Sequence, residues 1–391
     1  MRAEINSAHP YIQVVTSGGS GCRFYRSSMP CFCLNWFENL GVHCIEVPSP
    51  LMEPGILGAT RSIILKSPCG WQALELVKQL KAAQQKFPDL NIVADYDDIV
   101  YHIDPLEGDY DFSPFGPQNK DDLEKRKEQD KYTLELLTLI DRVTVTNEYS
   151  RKKLVEKGIK DVIVLPNAVP RSMWSTQRRQ PLEHDLVKPK IVLTQCPQHY
   201  RPATRLPDGK ELPEELGDLK SAEWREWLVK MVKDDKVSLV QLGGPSFAWN
   251  EIHGKVQSLP WVTPNRYASL VCRLGMDFTI APLVPSEIAR NKSDLRYVEA
   301  AVCSAGFLGS DFQDSPYAST PDICRVPLGT TMEQLDERFK RMCDRDTFNR
   351  VVDDGWKFLV EQGRIMESEK YVDRLMDAWC GAPKTISFDL L

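Results

Sequence analysis

The sequence Asn291-Lys292-Ser293-Asp294-Leu295-Arg296-Tyr297-Val298-Glu299 stands one loop after the apolar run Ile280-Ala281-Pro282-Leu283. The apolar run predicts a buried strand, and a helix is predicted to begin near Ser293, a favourable N-cap residue. The start of that helix, with Lys292 beside it, is suited to bind an anion because its first N–H groups lack helical partners. Glu299, two turns into the helix, is placed to accept hydrogen bonds from two ribose hydroxyls. A plain amphipathic helix is the alternative interpretation.

Short apolar runs alternate with helical stretches on both sides of this segment, which favours α/β units with parallel strands. The predicted strands of a first unit are 12–15, 62–65, 91–94, 142–145 and 162–165, with helices over 30–40, 71–86, 120–139 and 148–157. The predicted strands of a second unit are 190–193, 237–242, 278–281 and 306–309, with helices over 221–233, 267–274, 293–303 and 331–344. We therefore expect two doubly wound units.

The predicted organisation has four parts. Residues 1–170 form a first domain, and residues 171–189, which are rich in Arg, Pro and Gln, form a linker. Residues 190–344 form a second domain, and residues 345–391 form C-terminal helices and a tail. The length of 391 residues agrees with two domains and a short extension.

The composition is that of a globular protein, with 42% hydrophobic and 27% charged residues, which excludes extensive disorder. The formal net charge of −6 argues against a protein that coats nucleic acid without specificity. No stretch reaches 18 apolar residues, and the first ten residues lack the apolar core of a signal peptide. We expect a cytoplasmic protein without a transmembrane segment, in the host cytoplasm if the chain is viral.

Two further segments follow predicted strands. Thr16-Ser17-Gly18-Gly19-Ser20-Gly21 comes directly after the first strand, and its glycines allow the backbone to approach a ligand closely. Asp95-Tyr96-Asp97-Asp98 follows the strand 91–94, at the edge where open α/β sheets bind ligands. A flexible turn and a capping role for the carboxylates are the alternative interpretations.

A basic segment crosses the predicted linker. Residues 171–205 contain seven basic and two acidic side chains, a net charge of +5 in an acidic chain. Its end, around Gln198-His199-Tyr200-Arg201, follows the first strand of the second unit. Arginine side chains there would neutralise a diphosphate leaving group, whereas a solvated basic linker is the alternative.

The stretch 291–299, with 306–311 and Pro316-Tyr317 after it, resembles the donor-binding signature of GT-B glycosyltransferases. It is similar to the large retaining family with glutamates in an E-x7-E arrangement (glycosyl transferases group 1), and a bacteriophage-type branch is one candidate. The matching positions are Lys292, Ser293, Arg296, Tyr297, Glu299, Ala300, Ala301, Ser310, Asp311, Pro316 and Tyr317. Segments 95–98, 143–147 and 165–169, with Trp174, agree in order, so the resemblance covers roughly residues 12–320. One position departs from it, because Asn291 stands where the first glutamate belongs.

The resemblance implies a GT-B fold, with two Rossmann-like domains facing a cleft. It implies transfer of a sugar from a nucleotide diphosphate sugar to an acceptor hydroxyl, with retention of the anomeric configuration. The expected donor is a UDP-sugar. The fold itself requires no metal or other cofactor. The implied donor-binding residues are Gly18, Gly19, Gly21, Arg201, Arg205, Lys292, Ser293 and Glu299. The residues implied to act on the acceptor are Asp97, Asp98 and His199.

Several alternatives stay open at this point. The acceptor is either a carbohydrate or glycolipid, or a hydroxymethylated base in phage DNA, for which the basic segment would contact phosphates. A nucleotide-sugar epimerase would use the same donor without a second substrate. The missing first glutamate also leaves open a non-catalytic protein that binds nucleotide sugars.

Overall fold

Two six-stranded parallel sheets form the framework of the chain. The computed structural model describes residues 10–16, 23–37, 40–99, 120–174, 179–194, 218–244 and 246–381. The chain divides into two compact units. The first unit comprises Met1–His102, Glu124–Pro170 and Gly363–Leu391, and the second comprises Ile103–Leu123 and Arg171–Gln362.

The sheet of the first unit has the order β2-β1-β3-β4-β5-β6, and every neighbouring pair is parallel. Its strands are β1 (Tyr11–Val15), β2 (His43–Val47), β3 (Thr60–Lys66), β4 (Asn91–Asp95), β5 (Arg142–Val145) and β6 (Val162–Val164). A π-helical turn (Phe24–Ser28) leads into α1 (Met29–Trp36), and the following helices are α2 (Pro54–Leu57), α3 (Gly70–Gln84), α4 (Lys120–Leu139) and α5 (Glu148–Glu156). Since the order reverses at β1, the topological switch point of this sheet lies between β1 and β3.

The sheet of the second unit has the order β12-β11-β10-β7-β8-β9, which is the 3-2-1-4-5-6 order of a Rossmann fold. Its strands are β7 (Lys190–Leu193), β8 (Ser238–Leu242), β9 (Val256–Leu259), β10 (Phe278–Ala281), β11 (Gly306–Asp311) and β12 (Arg325–Pro327). Its α-helices are α6 (Trp224–Lys233), α7 (Pro264–Leu274), α8 (Glu287–Asn291), α9 (Leu295–Val302), α10 (Met332–Cys343) and α11 (Arg345–Glu361). Its 3-10 segments are Asp218–Ser221, Phe247–Lys255 and Asp322–Cys324.

The last helix, α12 (Glu369–Cys380), belongs to the first unit and contacts β3 and β4. The Arg142 side chain donates to the carbonyl of Asp377, and the Asn91 side chain donates to the carbonyl of Trp379 at 3.1 Å. Ile64 and Val93 of the strands beneath are fully buried, as expected for a parallel sheet that helices cover on both sides. On the opposite face, Ile63, Ile92 and other strand residues join a core with α3, α4 and α5.

The predicted α/β class with two doubly wound units is confirmed. Three strands were not predicted, namely β2, β9 and β12. All three lie at or next to a sheet edge and carry few buried residues, so their sequences lack a long apolar run. The helix predicted to begin near Ser293 begins at Leu295, and its N-cap is Asp294, so the prediction of Ser293 as the N-cap was wrong.

The segment 179–189 runs along the helices of the second unit. The Leu182 backbone N–H donates to Asn349 Oδ1 at 2.8 Å, and Asn349 Nδ2 donates back to the Leu182 carbonyl at 3.1 Å. The Leu186 N–H donates to the carbonyl of Cys343 at 2.9 Å. In this range, the predicted linker is therefore hydrogen-bonded to α10 and α11.

Candidate functional site

The carboxyl ends of β7 and β10 mark the switch point of the second sheet, where doubly wound folds bind their ligands. The loop after β10 is fixed there by side chains of neighbouring segments. The Leu283 N–H donates to Ser310 Oγ at 2.8 Å, and Ser310 Oγ lies 2.8 Å from Ser221 Oγ. The Val284 N–H donates to Asp218 Oδ1 at 3.0 Å. These hydrogen bonds anchor the start of the loop that leads to α8 and α9.

Glu299 is the buried carboxylate of this region, with 1% of the residue exposed. Arg296, one turn earlier on α9, donates from Nη1 to Glu299 Oε2 at 2.6 Å. Tyr267 of α7 donates its hydroxyl to the same oxygen at 3.2 Å and accepts a hydrogen bond from Arg296 Nη1 at 3.0 Å. The three side chains form a closed ring of hydrogen bonds that orients the Glu299 carboxylate.

The Tyr267 phenol is itself fixed by its surroundings. Its ring meets the buried ring of Trp174 edge to face, with centroids 5.9 Å apart. Burial, together with the charge of Glu299, raises the pKa of Tyr267 well above its ordinary value. The phenol therefore remains a hydrogen-bond donor at physiological pH.

Lys292 and Ser293 lie between α8 and α9, and both are half-buried. Asp294 makes no side-chain cap on α9, so its side chain does not satisfy the first N–H groups of this helix. Glu299 lies four residues beyond the first residue of α9, about 6 Å along the helix axis. The structure thus places three of the predicted donor-binding residues on one connection and the helix that follows it.

Asn291, at the position of the missing glutamate, is fully buried. Its side-chain Nδ2 donates to the backbone carbonyl of Glu287 at 2.7 Å, within α8. This amide has no charge with which to stabilise a reacting sugar as a carboxylate would.

The remaining predicted donor residues, and one predicted for the acceptor, lie outside the described residues. These are Gly18, Gly19, Gly21, Arg201, Arg205 and His199. Within the basic segment, three of the described side chains contact other residues of the second unit. Arg179 Nη1 pairs with Asp277 Oδ1 at 2.6 Å, Lys188 pairs with Asp235, and Lys190 Nζ donates to the Leu274 carbonyl at 2.6 Å.

In the first unit, Asp95 lies at the end of β4 and is fully buried. Arg26 of the π-helical turn donates from Nε to Asp95 Oδ2 at 3.0 Å and from Nη2 to Asp95 Oδ1. Lys66 Nζ lies 3.4 Å from Asp95 Oδ2, and Thr144 donates its hydroxyl to Asp95 Oδ1. Asp95 is therefore the centre of a buried ion cluster.

Burial alone would raise the pKa of the Asp95 carboxyl. The charges of Arg26 and Lys66 and the hydrogen bonds from Arg26 and Thr144 outweigh it, so the pKa of Asp95 is lowered from its ordinary value. The carboxylate stays ionised at neutral pH, and its hydrogen bonds make it a structural anion rather than a proton acceptor.

Asp97 and Asp98, the two predicted acceptor residues that the structure describes, follow this cluster and are half-buried. Asn167 Nδ2 donates to Asp97 Oδ1 at 3.0 Å, and Thr146 donates its hydroxyl to the Asp97 carbonyl at 2.9 Å. Arg364 donates from Nη1 to the Asn167 carbonyl at 2.8 Å. Asn167 therefore links the acidic segment to the chain that leads into α12.

Tyr267, Arg26 and Lys66 were not singled out in the sequence. Each makes its contact with a residue at least 29 positions away, so no local pattern could reveal the pair. Among the residues that the structure describes, no group of three His, Cys, Asp or Glu side chains is arranged to hold a metal ion. Within the same ranges, no helix has both the length and the apolar character needed to cross a membrane.

Comparison with solved structures identifies the fold. HepE of Anabaena, solved in complex with UDP-glucose, covers 94% of this chain and 99% of its own length, with 11% identity and a TM-score of 0.54. WaaG, a glycosyltransferase involved in lipopolysaccharide biosynthesis, covers 95% of this chain and all of its own length, with 10% identity and a TM-score of 0.53. The chain spans 58% of the length of TarM, at 14% identity and a TM-score of 0.48.

No protein-family model matches this sequence, and no curated protein sequence matches it. At identities near 10%, the structural similarity defines the fold alone. The chain has the GT-B fold of glycosyltransferases, as the resemblance in the sequence implied.

Proposed function

We propose that this chain is a glycosyltransferase that moves a sugar from a nucleotide diphosphate sugar to an acceptor hydroxyl. The single observation that supports it best is the buried Glu299 carboxylate, oriented by Arg296 and Tyr267 four residues into α9. A carboxylate fixed in this way accepts hydrogen bonds from both hydroxyls of a ribose. UDP-glucose bound to HepE, a protein of the same fold, makes a UDP-sugar the first donor to test.

The diphosphate of the donor would lie at the start of α9. The first N–H groups of this helix and the Lys292 ammonium group carry positive charge toward it, and Ser293 adds a hydroxyl. These groups stabilise the negative charge that develops on the leaving diphosphate in the transition state, and such stabilisation accelerates the reaction. Arg201 and Arg205 are proposed for the same task, and Gly18, Gly19 and Gly21 are proposed as further donor-binding residues.

We propose that transfer proceeds with retention. The acceptor oxygen forms the new bond to the anomeric carbon, while the bond from that carbon to the β-phosphate oxygen breaks. The departing phosphate oxygen takes the acceptor proton, so no strong protein base is required. This route suits a chain with the neutral Asn291 in place of the first glutamate. Nuclear magnetic resonance of the product measures the anomeric configuration, and inversion would contradict retention.

Asp97 and Asp98, with His199, are proposed to orient the acceptor. Their position at the carboxyl edge of the first sheet supports this role. A carbohydrate acceptor is preferred over duplex DNA because Arg179, Lys188 and Lys190 of the basic segment are engaged within the second unit. Strong salt-dependent binding to duplex DNA would reverse that preference.

The test is a binding screen with UDP, GDP, ADP and their sugars, followed by calorimetry on the full chain. A nucleotide that binds the folded state raises the unfolding temperature. Glu299→Gln is expected to weaken binding of that nucleotide about tenfold, because hydrogen bonds to a charged group contribute about 1.5–3 kcal/mol. Glu226→Gln, at an exposed glutamate of α6, is the matched control and should bind as the wild type does. Equal affinities in both variants would refute the ribose assignment.

A further inference from the structure

One row of polar side chains crosses the first sheet at its carboxyl edge. Lys66 pairs with Asp95 across β3 and β4, and Asp95 pairs with Thr144 across β4 and β5. Thr16 continues the row on the other side, because the residue before it, Val15, pairs with Leu65 of β3. Residues directly opposite each other in parallel strands face the same side of the sheet. The row Thr16-Lys66-Asp95-Thr144 therefore lies on one face.

The two ends of this row differ in how many of their hydrogen-bond donors and acceptors have partners. Asp95 and Thr144 bond to each other, and Arg26 uses Nε, Nη1 and Nη2 on Asp95 and on the carbonyl of Leu165. At the other end, the Lys66 ammonium group contacts Asp95 Oδ2 at 3.4 Å, with 8% of its side chain exposed. An ammonium group has three N–H donors.

Thr16, beside Lys66, is 5% exposed, and its Oγ1 has no hydrogen-bond partner among the described residues. A buried hydroxyl without a partner costs free energy, so its presence calls for an explanation. Thr16 directly follows β1 and Lys66 ends β3, and these two strands flank the switch point of this sheet. A doubly wound sheet binds ligands in the crevice at that point.

The titratable groups around this end come from the π-helical turn, from the strand ends and from α12. Arg26 and Lys66 are the cations that contact Asp95, and Asp97 adds a second carboxylate that is bound by Asn167. From α12, packed on the same face, Tyr371 contributes a phenol whose pKa is raised by burial and which therefore stays neutral. Among the described residues, the Lys66 ammonium group contacts only Asp95, so it retains N–H donors, and Thr16 supplies the neighbouring hydroxyl.

We propose that Thr16 and Lys66 form a subsite for an anionic oxygen group, such as a phosphate, carried by the acceptor. The assignment to the acceptor rests on the proposed function, in which the donor diphosphate is bound by the second unit. The Lys66 ammonium group donates to the anionic oxygens and balances their charge, and the Thr16 hydroxyl donates one hydrogen bond. The acceptor is thus a phosphorylated or otherwise acidic glycoconjugate rather than a neutral sugar.

Inorganic phosphate is the probe for this subsite. The full chain is titrated with phosphate at constant ionic strength, by calorimetry and by thermal unfolding, with the best-binding nucleoside diphosphate held at saturation. The nucleotide blocks the phosphate site of the donor, so the remaining affinity reports on the first unit. Lys66→Gln is expected to weaken this phosphate binding about tenfold or more, as loss of a charged hydrogen bond implies. Thr16→Val, which leaves the ion cluster intact, should weaken it about threefold.

Lys78→Gln is the matched control, because it removes the same charge from an exposed lysine of the same unit. It should leave phosphate affinity unchanged. Equal phosphate affinity in the Lys66 and Lys78 variants, or no phosphate binding by the nucleotide-saturated wild type, would overturn the proposal. Loss of nucleotide affinity in Lys66→Gln with phosphate binding intact would overturn it too, because the anion would then belong to the donor. Lys66-dependent phosphate binding in a chain that binds no nucleotide would uphold the subsite and refute the proposed donor.

Discussion

Arg26 and Asp95, 69 positions apart in the sequence, are joined by two hydrogen bonds in the interior of the first unit. Both side chains are at most 2% exposed. The pair ties the π-helical turn after β1 to the end of β4, and Arg26 reaches on to the Leu165 carbonyl beyond β6. One guanidinium group therefore links the π-helical turn to the ends of β4 and β6, near the proposed acceptor site.

Asp95→Asn is predicted to destabilise the protein by about 3–5 kcal/mol, because it leaves Arg26 and Lys66 buried without a carboxylate. The lowered pKa of Asp95 also fixes the pH dependence. Its contribution is fully present above the ordinary carboxyl pKa of 3.8 and is lost as the pH falls through the lower, folded-state value. Denaturant unfolding at neutral pH and at acid pH measures both effects.

Asp161→Asn is the control for that substitution. Asp161 also pairs with an arginine, Arg142, at 2.9 Å, but its side chain is 44% exposed. Surface ion pairs contribute about 0–1 kcal/mol, so this variant should unfold almost as the wild type does. Similar losses in the two variants would show that the buried cluster adds no stability of its own.

Tyr267→Phe is predicted to lower donor affinity about three- to tenfold, because it removes a hydrogen bond that orients the charged Glu299 carboxylate. Hydrogen bonds to a charged group contribute about 1.5–3 kcal/mol, of which only part acts on the donor. The ring and its contact with Trp174 are kept, so the fold should be retained. Tyr297→Phe is the control, since its ring packs against Phe307 and Phe358 away from Glu299. If both variants lose the same donor affinity, Tyr267 acts through stability and not by orienting the carboxylate.

The sequence was sufficient to predict the central strands and most helices, because buried parallel strands are nearly continuous apolar runs. The run 278–281 is buried at all four positions, and 190–193 at three of four. The edge strands could not be predicted in this way, for a physical reason. In β9 no residue is fully buried, so its pattern does not differ from that of a loop.

Candidate site residues could be proposed from the sequence only where one segment contains them, and their roles stay a prediction. Glu299 and Lys292 lie within eight residues of each other, and a motif could reveal them. The ring around Glu299 requires Tyr267 from another helix, and the function of Asp95 depends on Arg26. Hydrogen bonds between distant segments are set by how strands and helices pack, and neither spacing nor composition reports them.

Gly309→Ala is predicted to destabilise the protein by about 1–3 kcal/mol, as overpacking of a core does. An added Cβ would lie 2.6 Å from the ring of Tyr317 and 2.7 Å from the ring of Phe307. Both rings are buried and cannot move aside. Gly254→Ala is the control, because its Cβ would meet no atom within 4 Å. An unfolding free energy for Gly309→Ala equal to that of the control would contradict the packing argument.

Asp130→Asn is predicted to stabilise the protein above pH 6. Burial raises the pKa of Asp130 to about 6, although the charge of Arg126, 3.2 Å away, opposes the shift. The folded state therefore binds a proton more tightly than the unfolded state, so stability falls as the pH rises from about 4 to 6. The asparagine variant has no proton to release there, and its stability should not fall over this range.

Raising the pKa of Asp130 from 3.8 to about 6 corresponds to about 3 kcal/mol. Because the Asp130 side chain keeps some exposure, we expect a gain of about 1–2 kcal/mol at pH 7.5 that disappears below pH 4. Urea unfolding at several pH values measures it. Glu124→Gln, at an exposed glutamate of the same helix, is the control, and its free energy of unfolding at pH 7.5 should stay close to that of the wild type. If Asp130→Asn raised the free energy of unfolding by the same amount at every pH, the stabilisation would come from the helix and not from the buried carboxyl.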